Sequence, residues 1–232
     1  MTLRLVLLPG MDGTGELFAN FIKTLPDTFK AETVRYPCDV CLSFAELMPL
    51  VRSSIPKSEP FVLVAESFST PLAIQFAATN PPNLKGLVLC AGFATSPVRG
   101  WLRFLGSFLS PLLFRVGLPE FAARFWLVGS DASPALLFAV YTAISSVKPK
   151  VLSARLRAVL GCDARKELTQ VEVPILYLQA KQDRLVPASC LDEIRRIKPQ
   201  AEVAAIDGPH LLLQREPKLT AEIVSRFVHQ FE

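Results

Sequence analysis

The sequence predicts an α/β fold, a doubly wound, mostly parallel six-stranded sheet carrying an inserted helical lid. Three observations predict it. Short continuous apolar runs alternate with helix-patterned stretches, as expected of strands covered by helices on both faces. The alternation stops between about residues 95 and 168, where only helical patterns occur. The third apolar run, Phe61-Val62-Leu63-Val64-Ala65-Glu66, ends at Ser67 and passes directly into a helix-forming stretch.

Taken in order, residues 3–8 read as a strand stopped by Pro9-Gly10, and residues 16–25 as a helix. Residues 31–36 are a strand ended by Pro37. Ser43 caps a helix running to about residue 55, with Glu46 at the capping-box position. A strand at 61–66, a helix at 71–79 and a strand at 84–91 follow. After the interruption come a strand at 175–180, a helix at 188–197, a strand at 202–206 and a closing helix at 218–231. Within the interruption, Ser96-Pro97 and Ser133-Pro134 each pair a cap with a proline at the first helical position, and Pro119 and Pro149 mark further helix starts. Four helices are therefore expected between the fourth and fifth strands. The implied division is a core of residues 1–94 and 169–232 and a lid of residues 95–168.

A chain of 232 residues is long enough for one such domain. Half of it is hydrophobic, and the mean hydropathy of +0.35 implies apolar surface beyond a single core. The 25 basic and 21 acidic residues leave a net charge of +4 without a basic cluster, which argues against nucleic acid as a partner. Residues 3–8 are too short for a signal peptide. The apolar stretch 101–128 is broken by Arg103, Arg115, Glu120 and Arg124, whereas a membrane span needs about 20 largely uncharged residues. Five scattered cysteines fit a reducing, cytoplasmic setting, and Cys38 and Cys41 read as two free thiols in a loop, since a zinc site needs a second pair. No metal or cofactor is expected, because the two histidines are placed far apart and the cysteines form no ligand quartet.

The chemistry converges on Ser67. In Ala65-Glu66-Ser67-Phe68-Ser69 a serine between a strand and a helix has small residues two positions to either side, as a strained strand-to-helix turn requires. A serine hydroxyl needs a base, and the base a group that holds its tautomer. His210 follows the last strand in a Gly-Pro loop, at the carboxyl edge where parallel sheets place ligands. His229 lies in the final helix and is read as structural. Asp183 follows the fifth strand on the same edge; Asp163, in the exit from the insert, and Asp207, three residues before His210, are the poorer candidates. The turn Pro9-Gly10-Met11-Asp12-Gly13-Thr14-Gly15 has a G-x-x-G-x-G spacing that matches neither dinucleotide nor P-loop patterns. It reads instead as an oxyanion loop, with Met11 N–H and Phe68 N–H as donors.

These segments, together with Gln182-Asp183-Arg184-Leu185-Val186-Pro187 and Gly208-Pro209-His210, resemble the α/β-hydrolase superfamily, in its short, lid-bearing bacterial form related to carboxylesterases, lipases and acyltransferases. The resemblance covers the whole chain and implies a lid where the helical insert falls. The chain departs from G-x-S-x-G by having Ala65 and Ser69 in place of both glycines, and it begins at the strand that feeds the oxyanion loop. A serine nucleophile implies acyl transfer. The expected activity is hydrolysis of small apolar carboxylic acyl esters, with short to medium acyl chains, through an acyl-enzyme. An acyltransferase or thioesterase with the same triad, and a non-catalytic small-molecule binder on the same fold, are the alternatives. Trp101 and Phe138 are the candidate pocket-lining rings of the lid, whose apolar face also suggests weak contact with a lipid surface.

Overall fold

A computed structural model of the protein describes residues 3–98, 100, 110, 112, 114, 115 and 117–231. The strands are β1 (Arg4–Leu8), β2 (Lys30–Thr33), β3 (Phe61–Glu66), β4 (Leu84–Cys90), β5 (Ile175–Ala180) and β6 (Glu202–Ile206). They form one sheet in the order β2-β1-β3-β4-β5-β6, and every pairing is parallel. Alternate residues of each strand serve opposite faces. Val6, Leu8, Leu63 and Ala65 join one core, while Leu5, Leu7, Val62 and Val64 join the other. The strands are apolar throughout because helices cover both faces.

On one face lie α2 (Phe44–Ser54), α3 (Thr70–Ala77) and α8 (Ala188–Ile197); on the other lie α1 (Ala19–Thr24), the short α9 (Leu212–Arg215) and α10 (Pro217–Val228). The expected capping box of α2 is present: Glu46 N–H donates to Ser43 Oγ, and Ser43 N–H donates to Glu46 Oε2. The strand order reverses between β1 and β3, and such switch points leave a crevice at the carboxyl ends of the strands. The turn after β1 and Ser67 after β3 both open onto that crevice, with Leu8 paired to Ala65 at its floor.

Between β4 and β5 the described chain is helical: α4 (Glu120–Ala123) running into a wider turn (Arg124–Val128), then α5 (Pro134–Ser145), α6 (Pro149–Gly161) and α7 (Arg165–Gln170). Ser133 caps α5 by accepting from Leu136 N–H. The insert's ends meet at a bridge between Thr95 and Asp163, reinforced by Ala164 N–H donating to Ala94 O at 2.8 Å. Leu168, the last residue of the expected insert, is buried in the sheet core, as are Val159 and Ala164 before it. The expected helix beginning at Pro97 and the candidate ring Trp101 fall largely or wholly outside the described residues. Among the described residues, no single helix is long and apolar enough to cross a membrane.

Three expected elements differ. The closing helix expected over 218–231 ends at Val228 and gives way to a 3-10 turn, His229–Phe231. The helix expected over 16–25 is a short 3-10 turn, Glu16–Phe18, leading into α1. The second strand stops at Thr33 instead of continuing to residue 36, because Tyr36 N–H turns away to Gly13 O at 2.8 Å.

Candidate active site

Ser67 follows β3 directly, with φ of 47°, a left-handed conformation that a non-glycine residue adopts only when its surroundings impose it. Those surroundings are visible. Thr70 Oγ1 donates to Ser67 O at 2.8 Å, and Phe93 N–H donates to Thr70 Oγ1 at 3.0 Å, tying the turn to the end of β4. Ser69, where the usual pattern has glycine, is fully buried; its hydroxyl donates to Pro9 O and lies 2.8 Å from Tyr36 Oη. The departure from glycine thus supplies a hydrogen bond between the serine turn and the loop after β1.

His210 and Asp183 reach Ser67 from the loops after β6 and β5. His210 Nε2 lies 2.8 Å from Ser67 Oγ, and His210 Nδ1 lies 2.7 Å from Asp183 Oδ2. The His210 and Asp183 side chains are 5% and 4% exposed. Asp183 Oδ1 accepts from Leu185 N–H at 2.8 Å and Val186 N–H at 2.9 Å, which fixes the carboxylate and leaves Oδ2 for the imidazole. An acceptor at Nδ1 requires the proton to sit there, so Nε2 presents its lone pair to the serine hydroxyl. The His210 loop is anchored by Gln182 N–H donating to Gly208 O and Leu211 N–H donating to Leu127 O, both at 2.9 Å.

The other acids and the second histidine lie elsewhere. Asp163 pairs with Arg165 Nη2 at 2.6 Å, and Asp207 accepts from Gln182 Nε2 at 3.3 Å. The His229 ring packs on Phe29, 5.3 Å between centroids, beside a cleft of about 480 Å³ between α1 and α10. Neither this cleft nor one of about 410 Å³ bordered by Glu16, Leu136 and Arg215 is lined by Ser67, Asp183 or His210.

Phe68 is the second residue of a 3-10 turn, Ser67–Ser69, and the first N–H groups of any helical turn lack an acceptor within it. Met11 is the first central residue of a turn closed by Gly13 N–H donating to Gly10 O at 3.0 Å, which leaves Met11 N–H outside the turn's own bond. Phe138 is 74% exposed on α5, more than a ring enclosing an acyl chain permits; the expectation that it lines a pocket is not supported, because it lies on the outer face of its helix.

Three polar residues were not anticipated as part of the site. Glu66, the last residue of β3, is 1% exposed, and Gln214 Nε2 donates to its Oε2 at 3.2 Å. Burial pushes the Glu66 carboxyl up to about 7, against the opposing pull of His210 and the Gln214 hydrogen bond. Arg155 of α6 is buried against the Met11–Gly13 turn. Among the described residues no group of three His, Cys, Asp or Glu side chains is placed to hold a metal ion, and Cys38 and Cys41 are free thiols.

A serine held in a strained turn at a sheet's switch point, within reach of a histidine that is itself held by an aspartate, is an arrangement found in the α/β-hydrolases. No family model matches the chain. It is 25% identical to pimeloyl-acyl-carrier-protein methyl ester esterase of Methylococcus capsulatus, over 96% of this chain and 93% of that protein. Among solved structures it is similar to a bromoperoxidase from Bacillus anthracis, with a TM-score of 0.86 at 16% identity over 99% of this chain and 92% of that one. It is also similar to an enol-lactonase from Burkholderia xenovorans, with a TM-score of 0.83 at 13% identity and the same coverages, 99% and 92%. The chain has the α/β-hydrolase fold.

Proposed function

We propose that the protein is a serine hydrolase that cleaves carboxylic acyl esters through an acyl-enzyme on Ser67. The observation that carries this reading is the unbroken relay from Ser67 Oγ to His210 Nε2 at 2.8 Å and from His210 Nδ1 to Asp183 Oδ2 at 2.7 Å. Similarity over nearly the full chain to a methyl ester esterase supports an ester as the substrate.

In the first step Ser67 Oγ bonds to the ester carbonyl carbon while its proton passes to His210 Nε2. The imidazolium that forms is stabilised by Asp183. The carbonyl oxygen becomes an oxyanion, for which Met11 and Phe68 N–H are the donors. Collapse breaks the bond to the alkoxy group, which leaves with the proton from His210. Water then gives its proton to His210 and attacks the acyl carbon, and the acid departs as Ser67 Oγ recovers that proton.

The helices between Thr95 and Asp163 act as a lid over this site. Support comes from the insert's own small core, where Ala123, Val128, Leu137 and Val140 close on Leu211 beside His210, and from exposed Phe121, Phe125 and Trp126 on its outside. Those exposed rings are also what supports weak lipid-surface contact. The acyl group is of short to medium length, because an insert of this size leaves limited room above a six-stranded core.

The test is a series of p-nitrophenyl esters of increasing acyl length. Each buried methylene adds up to about 0.8 kcal/mol of binding, so kcat/KM rises with length and then breaks where the pocket ends. A protein that turns over no member of the series is not this esterase.

A further inference from the structure

Arg155 takes no part in the relay, yet it occupies an unusual place. It lies on α6 of the insert and is 2% exposed. Among the described residues it forms no ion pair. Its guanidinium instead donates to three backbone carbonyls: Nη1 to Met11 O at 2.9 Å and to Asp12 O at 2.7 Å, and Nη2 to Pro37 O at 2.9 Å. Its Cζ stands 5.7 Å from the centre of the Tyr36 ring. Gly13, with φ of 69°, makes the approach possible, since a Cβ there would stand 2.5 Å from Nη1. Burial of a guanidinium is strongly unfavourable unless its donors are met, and here the planar fork meets three acceptors at once.

Those acceptors flank the proposed oxyanion donor. Peptide groups are planar, so fixing the Met11 and Asp12 carbonyls fixes the two planes that follow Met11 N–H. From the other side, Ser69 of the serine turn holds Pro9 O. The Met11 side chain packs with Val147, Val151 and Leu152 of the insert, next to Arg155. The Met11 N–H is thus suspended between one anchor on the core and one on the insert.

We propose that Arg155 is a positioning residue for the oxyanion hole: it holds the turn from Gly10 to Gly13 so that Met11 N–H points at the developing oxyanion, and it makes that donor depend on the insert being docked. This rests on the esterase reading above. A donor aimed at charge that exists only in the transition state affects kcat and leaves KM nearly untouched. A residue that merely stabilises the fold changes the unfolding midpoint but not the kcat of the folded fraction.

The experiment uses the full chain with Arg155→Ala and Arg155→Lys, the second guarding against a variant that fails to fold. Kinetics on p-nitrophenyl butyrate are combined with deuterium exchange of the peptide spanning residues 9–15. The expected result is a kcat lower by about 10²-fold for Arg155→Ala, with KM within about threefold, because misplacement by about 1 Å costs that much. Added methylguanidinium restores part of the kcat. Arg155→Lys remains impaired because a single ammonium nitrogen cannot occupy the two positions from which Nη1 and Nη2 reach the Met11, Asp12 and Pro37 carbonyls, and in both variants exchange in residues 9–15 accelerates while β3 stays protected. A kcat within about twofold of the parent in the folded variants overturns the proposal, and so does unchanged exchange in Arg155→Lys. A parent protein that neither hydrolyses the ester nor takes a phosphonate on Ser67 sinks the esterase reading instead, and the exchange data then decide the Arg155 contact alone.

Discussion

The Ser69 hydroxyl donates to the Pro9 carbonyl, so a single hydrogen bond joins the serine turn after β3 to the loop after β1. Tyr36 Oη, 2.8 Å away, completes the contact, and burial pushes the Tyr36 phenol well above its usual value. Ser69→Ala leaves Pro9 O and Tyr36 Oη buried with one partner fewer. The expected cost is about 1–3 kcal/mol of unfolding free energy, with a fall in kcat as the loop loosens. Urea denaturation checks the first part; a variant as stable as the parent shows that the contact contributes nothing.

Glu66 links stability to pH. Its carboxyl is raised to about 7 from an ordinary value of 4.5, so the folded protein holds the proton more tightly than the unfolded chain. Between these values the native state binds more protons, and stability falls as pH rises. The contribution is complete below about pH 4.5 and lost once pH has passed about 7. The size is on the order of 3 kcal/mol. Glu66 Oε1 and Gln214 Oε1 both lack a protein partner among the described residues, and a proton on the carboxyl gives the pair a donor. Glu66→Gln removes the dependence. The stability of the parent relative to this variant, followed by denaturation from pH 4 to 8, declines with pH; parallel curves contradict the assignment.

Much of the site was legible because the residues that carry it are tied to strand ends. The strands at 61–66, 175–180 and 202–206 have the expected bounds, and once they are placed Ser67, Asp183 and His210 fall on one sheet edge. The second strand was read too long because Tyr36 N–H bonds to Gly13, a long-range contact that no local pattern encodes. Arg155 was missed because an arginine on a helix is usually solvated. The available signal was its phase: it follows Val151 by four residues and Leu152 by three, and precedes Val159 by four, which puts a charge in the apolar stripe. Glu66 carries the same signal, a carboxylate ending a continuous apolar strand.

The two histidines separate cleanly. His210→Ala abolishes ester turnover, whereas His229→Ala, remote from Ser67 and packed on Phe29, leaves it within a few-fold of the parent. Initial rates of the two variants settle this, and an inactive His229→Ala with an active His210→Ala reverses the assignment.

Phe138, at 74% exposed, contributes little to the fold. Phe138→Ser is expected to change stability by no more than about 0.5 kcal/mol and to leave the chain-length profile of ester hydrolysis as it was. A shifted profile places this ring against the acyl chain.

The most direct measurement is intact-mass analysis after treatment with a fluorophosphonate, run beside ester kinetics on the parent and on Ser67→Ala. The expected result is one phosphonyl group per chain, mapped to the peptide that contains Ser67, with no adduct on Ser67→Ala and a kcat lower by on the order of 10⁴-fold or more. A Ser67→Ala protein that still takes the phosphonate, or still hydrolyses esters at the parent rate, contradicts the assignment of Ser67 as the nucleophile.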